Sequence, residues 1–361
     1  LDYYTSGGVT GCPALLVEPA ATNLCPRSQE IDLWSPTAAT TTPNAGISPD
    51  GTQNAELFVP NSGSNGRTEI NVGTLANATT YTMTCFMKQH TASLDQITLY
   101  VSDGGGATGG NRWGVNVSLS AFTLSNYAQG SGSVTSTSIE NYGNGWYRIR
   151  VTGQVTSGMA STSVVVIRYF GSTANGTNGV LVFGAQFELG SVPTSYIPTT
   201  AGTGSRSADV ISVSGAVSGS IGQTEGTFYF DFQASPSGNV ANWFNINNGT
   251  ANNWIFIGKA DNKCRAYIRA NNVVIFDDSS FILTGSSIKA ALGYKSGDYA
   301  LYINGNIIAS GTTAFTFSTG LTSIHSGAQT PAASEGINRI RAVALYTTRL
   351  TNAELATLTT P

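Results

Sequence analysis

The sequence predicts an all-β chain of two antiparallel β-sandwiches in tandem, followed by one short C-terminal helix. Three observations predict it. Glycine occurs 42 times in 361 residues, among clusters of Ser, Thr and Asn, which is the punctuation of many short strands joined by turns. Apolar residues recur at every second position over short runs, the period of strands with one buried face. A Gly/Ser-rich stretch between 200 and 225 separates two complete sets of such runs.

Taken in order, residues 1–20 form an entry segment, in which PALLVEPAATNL (13–24) reads as a Pro-bounded edge strand leading into the first sandwich. Residues 21–205 make that sandwich. Over 80–88, Tyr81, Met83, Cys85 and Met87 share one face while Thr82 and Thr84 take the other; Ile97, Leu99 and Val101 repeat the pattern over 96–102. GAQFELGSVPTSYIPT (184–199) reads as a strand ending in a loop. Its apolar run, 180–189, enters the core, Pro193 and Pro198 stop it, and Tyr196 lies on the body as an amphipathic clamp. Residues 206–221 are a linker.

In 222–361, Phe228, Phe230 and Phe232 alternate with Thr227, Tyr229 and Asp231. LYINGNIIAS (301–310) sets Asn304–Gly305 between two apolar stretches, a strong hairpin signal because both turn residues must accept positive φ. In TRLTNAELATL (348–358), Thr351 is followed three residues later by Glu354. That spacing is a capping box, opening a short helix with Leu355 and Leu358 on one side.

Charged residues make up 10% of the chain, against about 25% in an ordinary soluble protein. The surface is therefore one of Ser, Thr, Asn, Gly and Gln. The net charge of −3 supplies no basic field for phosphates, which argues against nucleic acid as a partner. No apolar run approaches the roughly 18 residues of a spanning helix, so membrane insertion is not expected. Leu1 is not followed by a charged-then-apolar leader, which points to a processed product or a fragment. Cys12 and Cys25 are close enough in sequence to pair in an oxidising compartment, whereas Cys85 reads as a small core residue.

Candidate chemistry is sparse. Asp277 and Asp278 are adjacent and point to opposite sides of a strand, and no alternation sets two carboxylates on one face. His90 sits at a loop entrance and His325 ends a strand, neither with an evident partner, and no GxSxG elbow occurs. DGGGATGGN (103–111) lacks the Lys and following helix of a phosphate loop. Glu18, Asp32, Asp50 and Glu188 are the oxygen ligands on offer for a structural calcium ion, but spacing assigns none; no other cofactor is expected.

Sugar binding asks for less: an aromatic ring for the apolar side of a pyranose, and amides or carboxylates for its hydroxyls. NVANWFNINNGTANNWIFIGKADNK (239–263) supplies Trp243, Asn247, Asn252, Asn253 and Asp261 as candidate ligand-binding residues. Alternation puts Trp243 in phase with Asn245, and Trp254 in phase with Phe256, which makes Trp254 the buried ring of the two. Trp113, just after the glycine-rich loop, is the first-sandwich candidate, while Tyr142 and Trp146 read as structural.

The stretch 184–199, followed by SRSAD (205–209), resembles a signature of tail-fibre and other virion surface proteins of bacteriophages, where it closes a carbohydrate-binding-module-like jelly roll. LLVEPAATNL (15–24), SPDGTQNAELF (48–58) and NYGNGWYRIRVT (141–152) look like the opening, early and late segments of the same domain type. EGTFYFDFQ (225–233), KAALGYKSGDYALYINGN (289–306), INRIRAVALY (337–346) and the final LTNAELATLT resemble a concanavalin-like, laminin-G-type jelly roll. RTEI (67–70), YKSGDY (294–299) and SIH (323–325) are similar to short alginate-lyase motifs, but the first lies in the other predicted domain and the others stand in the wrong chain order.

The resemblance implies a non-enzymatic fibre or spike protein on the extracellular virion surface, a homotrimer touching other virion proteins, that attaches to a host-surface polysaccharide or glycan. Two rival readings are purely structural spacer domains of a phage particle and binding modules of a secreted polysaccharide-degrading enzyme. Limited proteolysis is expected to cut first within 205–222. Primary cleavage inside 80–102 or 289–303 contradicts that boundary.

Overall fold

The computed structural model describes residues 5–6, 9–10, 14–63, 65–90, 94–104, 110–156, 163–171, 174–215, 218–234, 242–284, 287–326 and 338–361; residues 5, 6, 9, 10, 214, 234, 242, 243 and 338 are described by their backbone alone. The described residues form four six-stranded antiparallel sheets, two small two-stranded pairs and one α-helix. Contacts group them into two units: Ala21–Arg206, and Leu1–Ala20 together with Ser207–Pro361. The all-β reading, with one C-terminal helix, holds.

In the first unit, one sheet runs in the order Thr123–Gln129, Arg112–Ser118, Gln96–Asp103, Ser163–Arg168, Arg67–Gly73, Ser35–Thr37. The other runs Gly132–Gly143, Trp146–Val155, Tyr81–Gln89, Val180–Leu189, Ala55–Pro60, Ala39–Gly46. Met83, Cys85 and Met87 from one sheet meet Ile97, Leu99 and Val101 from the other in a single core, as their alternation predicts. Thr82 and Thr84, on the opposite face, are also buried.

That second face is buried where the chain returns through 184–199. Asn23 ties the start of the unit to this segment: its Nδ2 donates to the carbonyls of Ala185 (3.1 Å) and Ile197 (2.9 Å), and its Oδ1 accepts from the amides of Cys25 and Phe187 (3.0 Å each). Gln186 Oε1 accepts from the Ile197 amide at 2.6 Å, and Gln186 Nε2 donates to Glu188 at 2.6 Å. Glu188 further accepts from the amide (3.1 Å) and the hydroxyl (2.6 Å) of Thr194. Tyr196 closes the clasp with a 2.6 Å hydroxyl contact to Ser28. The Glu and Tyr at the exit of a hydrophobic strand are thus members of a buried network whose polar atoms satisfy one another.

The second unit packs the sheet Asn306–Gly311, Asp298–Ile303, Ile288–Lys295, Glu225–Ala234, Asn338–Tyr346, Leu15–Val17 against Ser212–Ser214, Ser323–Ser326, Asn242–Asn247, Trp254–Ala260, Lys263–Ala270, Val273–Ile282. Phe228, Phe230 and Phe232 enter the core between them. Asn304 and Gly305 have φ of 49° and 82°, and Ile303 pairs with Asn306 across them, the predicted tight hairpin. Thr351 and Glu354 form the capping box of the helix Asn352–Thr359, and Leu355 and Leu358 pack with Tyr229, Ala291 and Tyr302 on the outer side of the first of these sheets.

One expectation is corrected. Leu15–Val17 does not lead into the first sandwich: it pairs with Asn338–Ile340 at the edge of a second-unit sheet, and Val17 enters that core. An edge strand takes its hydrogen bonds wherever a sheet edge stands open, and sequence proximity to 21–24 does not decide which. A nick within 207–222 therefore leaves the two fragments joined through this strand. Cys25 is a free, buried thiol in the first core, while Cys12 lies outside the described residues.

Glu56 is 3% exposed and accepts from the Asp32 amide at 2.5 Å. Burial first, and the Asp32 charge second, push its carboxyl up to about 8. A carboxyl raised in the folded state contributes stability below its ordinary range and loses it as pH rises through about 8. Calorimetric midpoints are expected to fall between roughly pH 5 and 9, and Glu56→Gln should flatten that fall. Parallel profiles for the two proteins contradict the assignment.

Candidate functional site

The outward face of the second unit's sheet that carries Trp254–Ala260 concentrates the polar and aromatic chemistry. Ile246, Ile255, Ile257, Ala266, Ile268 and Phe276 fill the core from this sheet, so the alternate positions face away. Register sets His325, Asn245, Phe256, Tyr267 and Asp277 in one row, and Ser323, Asn247, Trp254, Arg269 and Val274 in the next.

One end of these rows is an amide–imidazole ladder. Asn247 Nδ2 donates to Asn245 Oδ1 at 2.7 Å, and Asn247 Oδ1 accepts from the Gly249 amide at 2.8 Å and lies 3.2 Å from His325 Nε2. His325 is 2% exposed, and burial holds its imidazole below the ordinary histidine range, so it is neutral at pH 7. With Nε2–H donating to Asn247, Nδ1 is left as an acceptor, and it has no partner among the described residues.

The other end is a ring cluster. Phe256 and Tyr267 stack at 5.0 Å, and Trp254 meets Tyr267 edge-on at 5.4 Å. Arg265 lies over both stacked rings, 5.6 and 5.4 Å from their centroids, and is itself held by Asp277 through bonds of 2.8 and 2.7 Å. Trp254 is 7% exposed and its Nε1–H is buried without a partner. Arg269, beside Trp254 in its row, likewise has an unmatched Nε–H, so among the described residues the face holds two unmatched donors and one unmatched acceptor, functions that sugar hydroxyls supply.

The residues singled out by sequence fare unevenly. Trp254 is buried as expected, but in the outward cluster rather than between the sheets. Asn247 and Asn253 are buried turn-makers: Asn253 Nδ2 donates to Thr319 Oγ1 at 3.0 Å and its Oδ1 accepts from the Asn271 amide at 2.7 Å. Asn252 is exposed at the same rim, its carbonyl taken by the Asn272 amide at 2.9 Å. Asp261 is exposed in the turn at the far end of the hairpin with φ 55°, about 20 Å from Trp254 along an extended strand, so it does not join the others. Trp243 pairs with Gly258 through its backbone; its side chain lies outside the described residues. Trp113 is corrected outright: it is 1% exposed and packs against Phe187 in the first core, where no sugar reaches it.

Asn245, Phe256, Tyr267 and His325 were not among the ligand-binding residues the sequence singled out. Their signal was the shared parity of four strands, each apolar on one side and aromatic or polar on the other. Acid–base chemistry finds no pair here: Tyr267 and His325 are three strands apart in the sheet order, or about 14 Å, too far to act on one carbon. Among the calcium candidates, Asp50 is engaged by Ser48, Thr52 and Asn54, Asp32 adjoins Glu56, and Glu188 belongs to the clasp.

No family model matches the chain, and no curated protein matches it. Solved structures show a distant similarity in β-sandwich fold. The CBM40 module of the Ruminococcus gnavus IT-sialidase, bound to α2,3-sialyllactose, is 18% identical, with 42% of this chain and 97% of that one covered at a TM-score of 0.35. The NanB sialidase from Streptococcus pneumoniae is 19% identical over 41% of this chain and 26% of that one, TM-score 0.35. The receptor-binding domain of the botulinum neurotoxin C/D mosaic serotype is 15% identical over 42% of this chain and 40% of that one, TM-score 0.34.

Both buried tryptophans are expected to carry stability. Trp113→Ala and Trp254→Ala should each cost about 3–5 kcal/mol in denaturant unfolding. A loss below about 1 kcal/mol would show that the ring is not packed as described.

Proposed function

We propose that the chain is a non-catalytic glycan-binding protein of a virion surface, and that the outward face around Trp254 and His325 is where the second unit holds its saccharide. The observation that carries this reading is the set of buried groups without a partner among the described residues, Trp254 Nε1–H, Arg269 Nε–H and His325 Nδ1, on a face otherwise built of rings and amides. An unpaired buried polar group costs about 1–3 kcal/mol; these atoms are covered in the unliganded chain, so a hydroxyl relieves the cost only when a neighbouring side chain moves aside. The rings turn toward one another and toward Arg265, so the face offers ring edges and polar groups rather than an open stacking platform. Such a site gives weak single-site affinity, of order 0.1–1 mM.

The particle context rests on the sequence resemblance around 184–199. Homotrimeric assembly in a fibre or spike would multiply the weak affinity through avidity. Host-surface polysaccharide is the ligand this context supplies.

Trp254→Phe keeps an aromatic ring in the cluster and deletes the N–H together with the second ring of the indole. On a glycan array followed by titration of the best ligand, it should weaken binding about fivefold or more, the loss of one buried hydrogen bond, with the melting point within a few degrees of the parent. Unchanged affinity places the site elsewhere, and sustained release of shortened saccharides from any ligand overturns the non-catalytic reading.

A further inference from the structure

The first unit carries an outward sheet face of a different character. Leu99 and Val101 go to the core, so Thr98, Tyr100 and Ser102 face away from it. Register aligns Tyr127, Gly114, Tyr100, Val166 and Glu69 across the face, with Arg112, Ser102 and Val164 alongside. Gly114 brings no side chain between the two tyrosines, so their rings meet at 5.3 Å across the intervening strand.

Two guanidinium groups lie on these rings. Arg112 is 5.8 Å from the Tyr100 centroid and donates to the Tyr127 hydroxyl at 3.2 Å; Arg168 is 4.0 Å from the Phe170 centroid and donates to the Tyr100 hydroxyl. Neither has a carboxylate partner among the described residues. Glu69, in the Tyr100 row, is paired with Arg67 at 2.9 Å, and Asp103 at the strand end takes the amide (2.8 Å) and Nδ2 (2.6 Å) of Asn111. Arg112 is 7% exposed, and its Nε is unmatched; so is the hydroxyl of its register partner Ser102, 1% exposed.

A buried cation without a counter-ion is costly. The other deeply buried arginine of this unit, Arg148, escapes that cost by donating to the Thr194 carbonyl and by lying near the Glu188 carboxylate. Among the described residues, Arg112 and Arg168 have only rings and hydroxyls. We infer that this face is a second saccharide site, selective for acidic sugars: the carboxylate of a uronic-type residue sits between the Arg112 and Arg168 forks, and the half-buried rings of Tyr127 and Phe170 take its apolar side. Guanidinium groups match a carboxylate with two parallel hydrogen bonds.

The test is an NMR titration of the full chain with sodium glucuronate, the methyl ester of glucuronic acid, glucose and acetate, following the arginine Nε–H signals. Glucuronate should shift the Arg112 and Arg168 signals in the millimolar range, at least tenfold more tightly than its uncharged ester or glucose, and more tightly than acetate. Arg168→Gln, at a half-buried position, should abolish the effect while the protein stays folded, and Arg112→Lys should weaken it by losing the fork geometry. Trp254→Phe should leave it untouched, so that failure here and failure of the second-unit site read separately. The inference is overturned by absence of shifts at 50 mM glucuronate (about −1.8 kcal/mol), by equal binding of acid and ester, by acetate binding as tightly as glucuronate, or by an Arg168→Gln protein that still responds.

Discussion

A sheet inside a sandwich buries one face against its partner, and the other face must be covered by the chain or left to meet something else. The four six-stranded sheets of this protein solve that problem in two ways. The sheet containing Tyr81–Gln89 buries Phe86, Trp146, Leu181 and Phe183 on its outer side, packed with Tyr196 of the returning segment. The sheet containing Glu225–Ala234 is covered by the C-terminal helix through Leu355. The remaining two carry rings, arginines and unmatched buried polar atoms on their outer sides, and these are the faces that function is read from.

Scarcity of charge shapes everything on those faces. With 10% charged residues, polar work falls to amides and hydroxyls, and most of it is structural: Asn23, Gln186 and Thr194 close the first unit, while Asn247, Asn253 and Asn271 hold the rim of the second. Each of these side chains satisfies backbone groups that strands and turns leave over. Against that background an ionic group without a partner stands out. Arg265 has Asp277 and Arg341 has Asp231, whereas Arg112 and Arg168, like Arg150 and Arg269, have no ion pair among the described residues.

What could be read in advance was local. Alternation over 80–88, 96–102 and 227–232, the Asn304–Gly305 hairpin and the Thr351–Glu354 capping box all depend on residues within a few positions of each other, where backbone geometry and side-chain parity decide the outcome. The joining of Leu15–Val17 to Asn338–Ile340 is invisible at that range, because a ladder partner more than 300 residues away leaves no periodic mark. Trp113 looked like a loop-side ring only because a glycine-rich stretch precedes it; its parity with Val115 and Val117, both core residues, was the better guide. The asparagines misled for a related reason. Amide side chains suit both sugar hydroxyls and left-handed turns, and in 247–253 the turns claimed most of them.

The central claim is that ligands meet the two outer sheet faces that carry rings and arginines and not the two packed against the returning segment and the C-terminal helix. Hydrogen-exchange mapping of the full chain, with and without a saturating pool of bacterial surface oligosaccharides, tests it most directly. The account predicts added protection in Gln96–Ser118 and Asn242–Ala270, with the strands Tyr81–Gln89 and Glu225–Ala234 unchanged. Protection confined to those covered sheets, or none in the presence of bound saccharide, contradicts it.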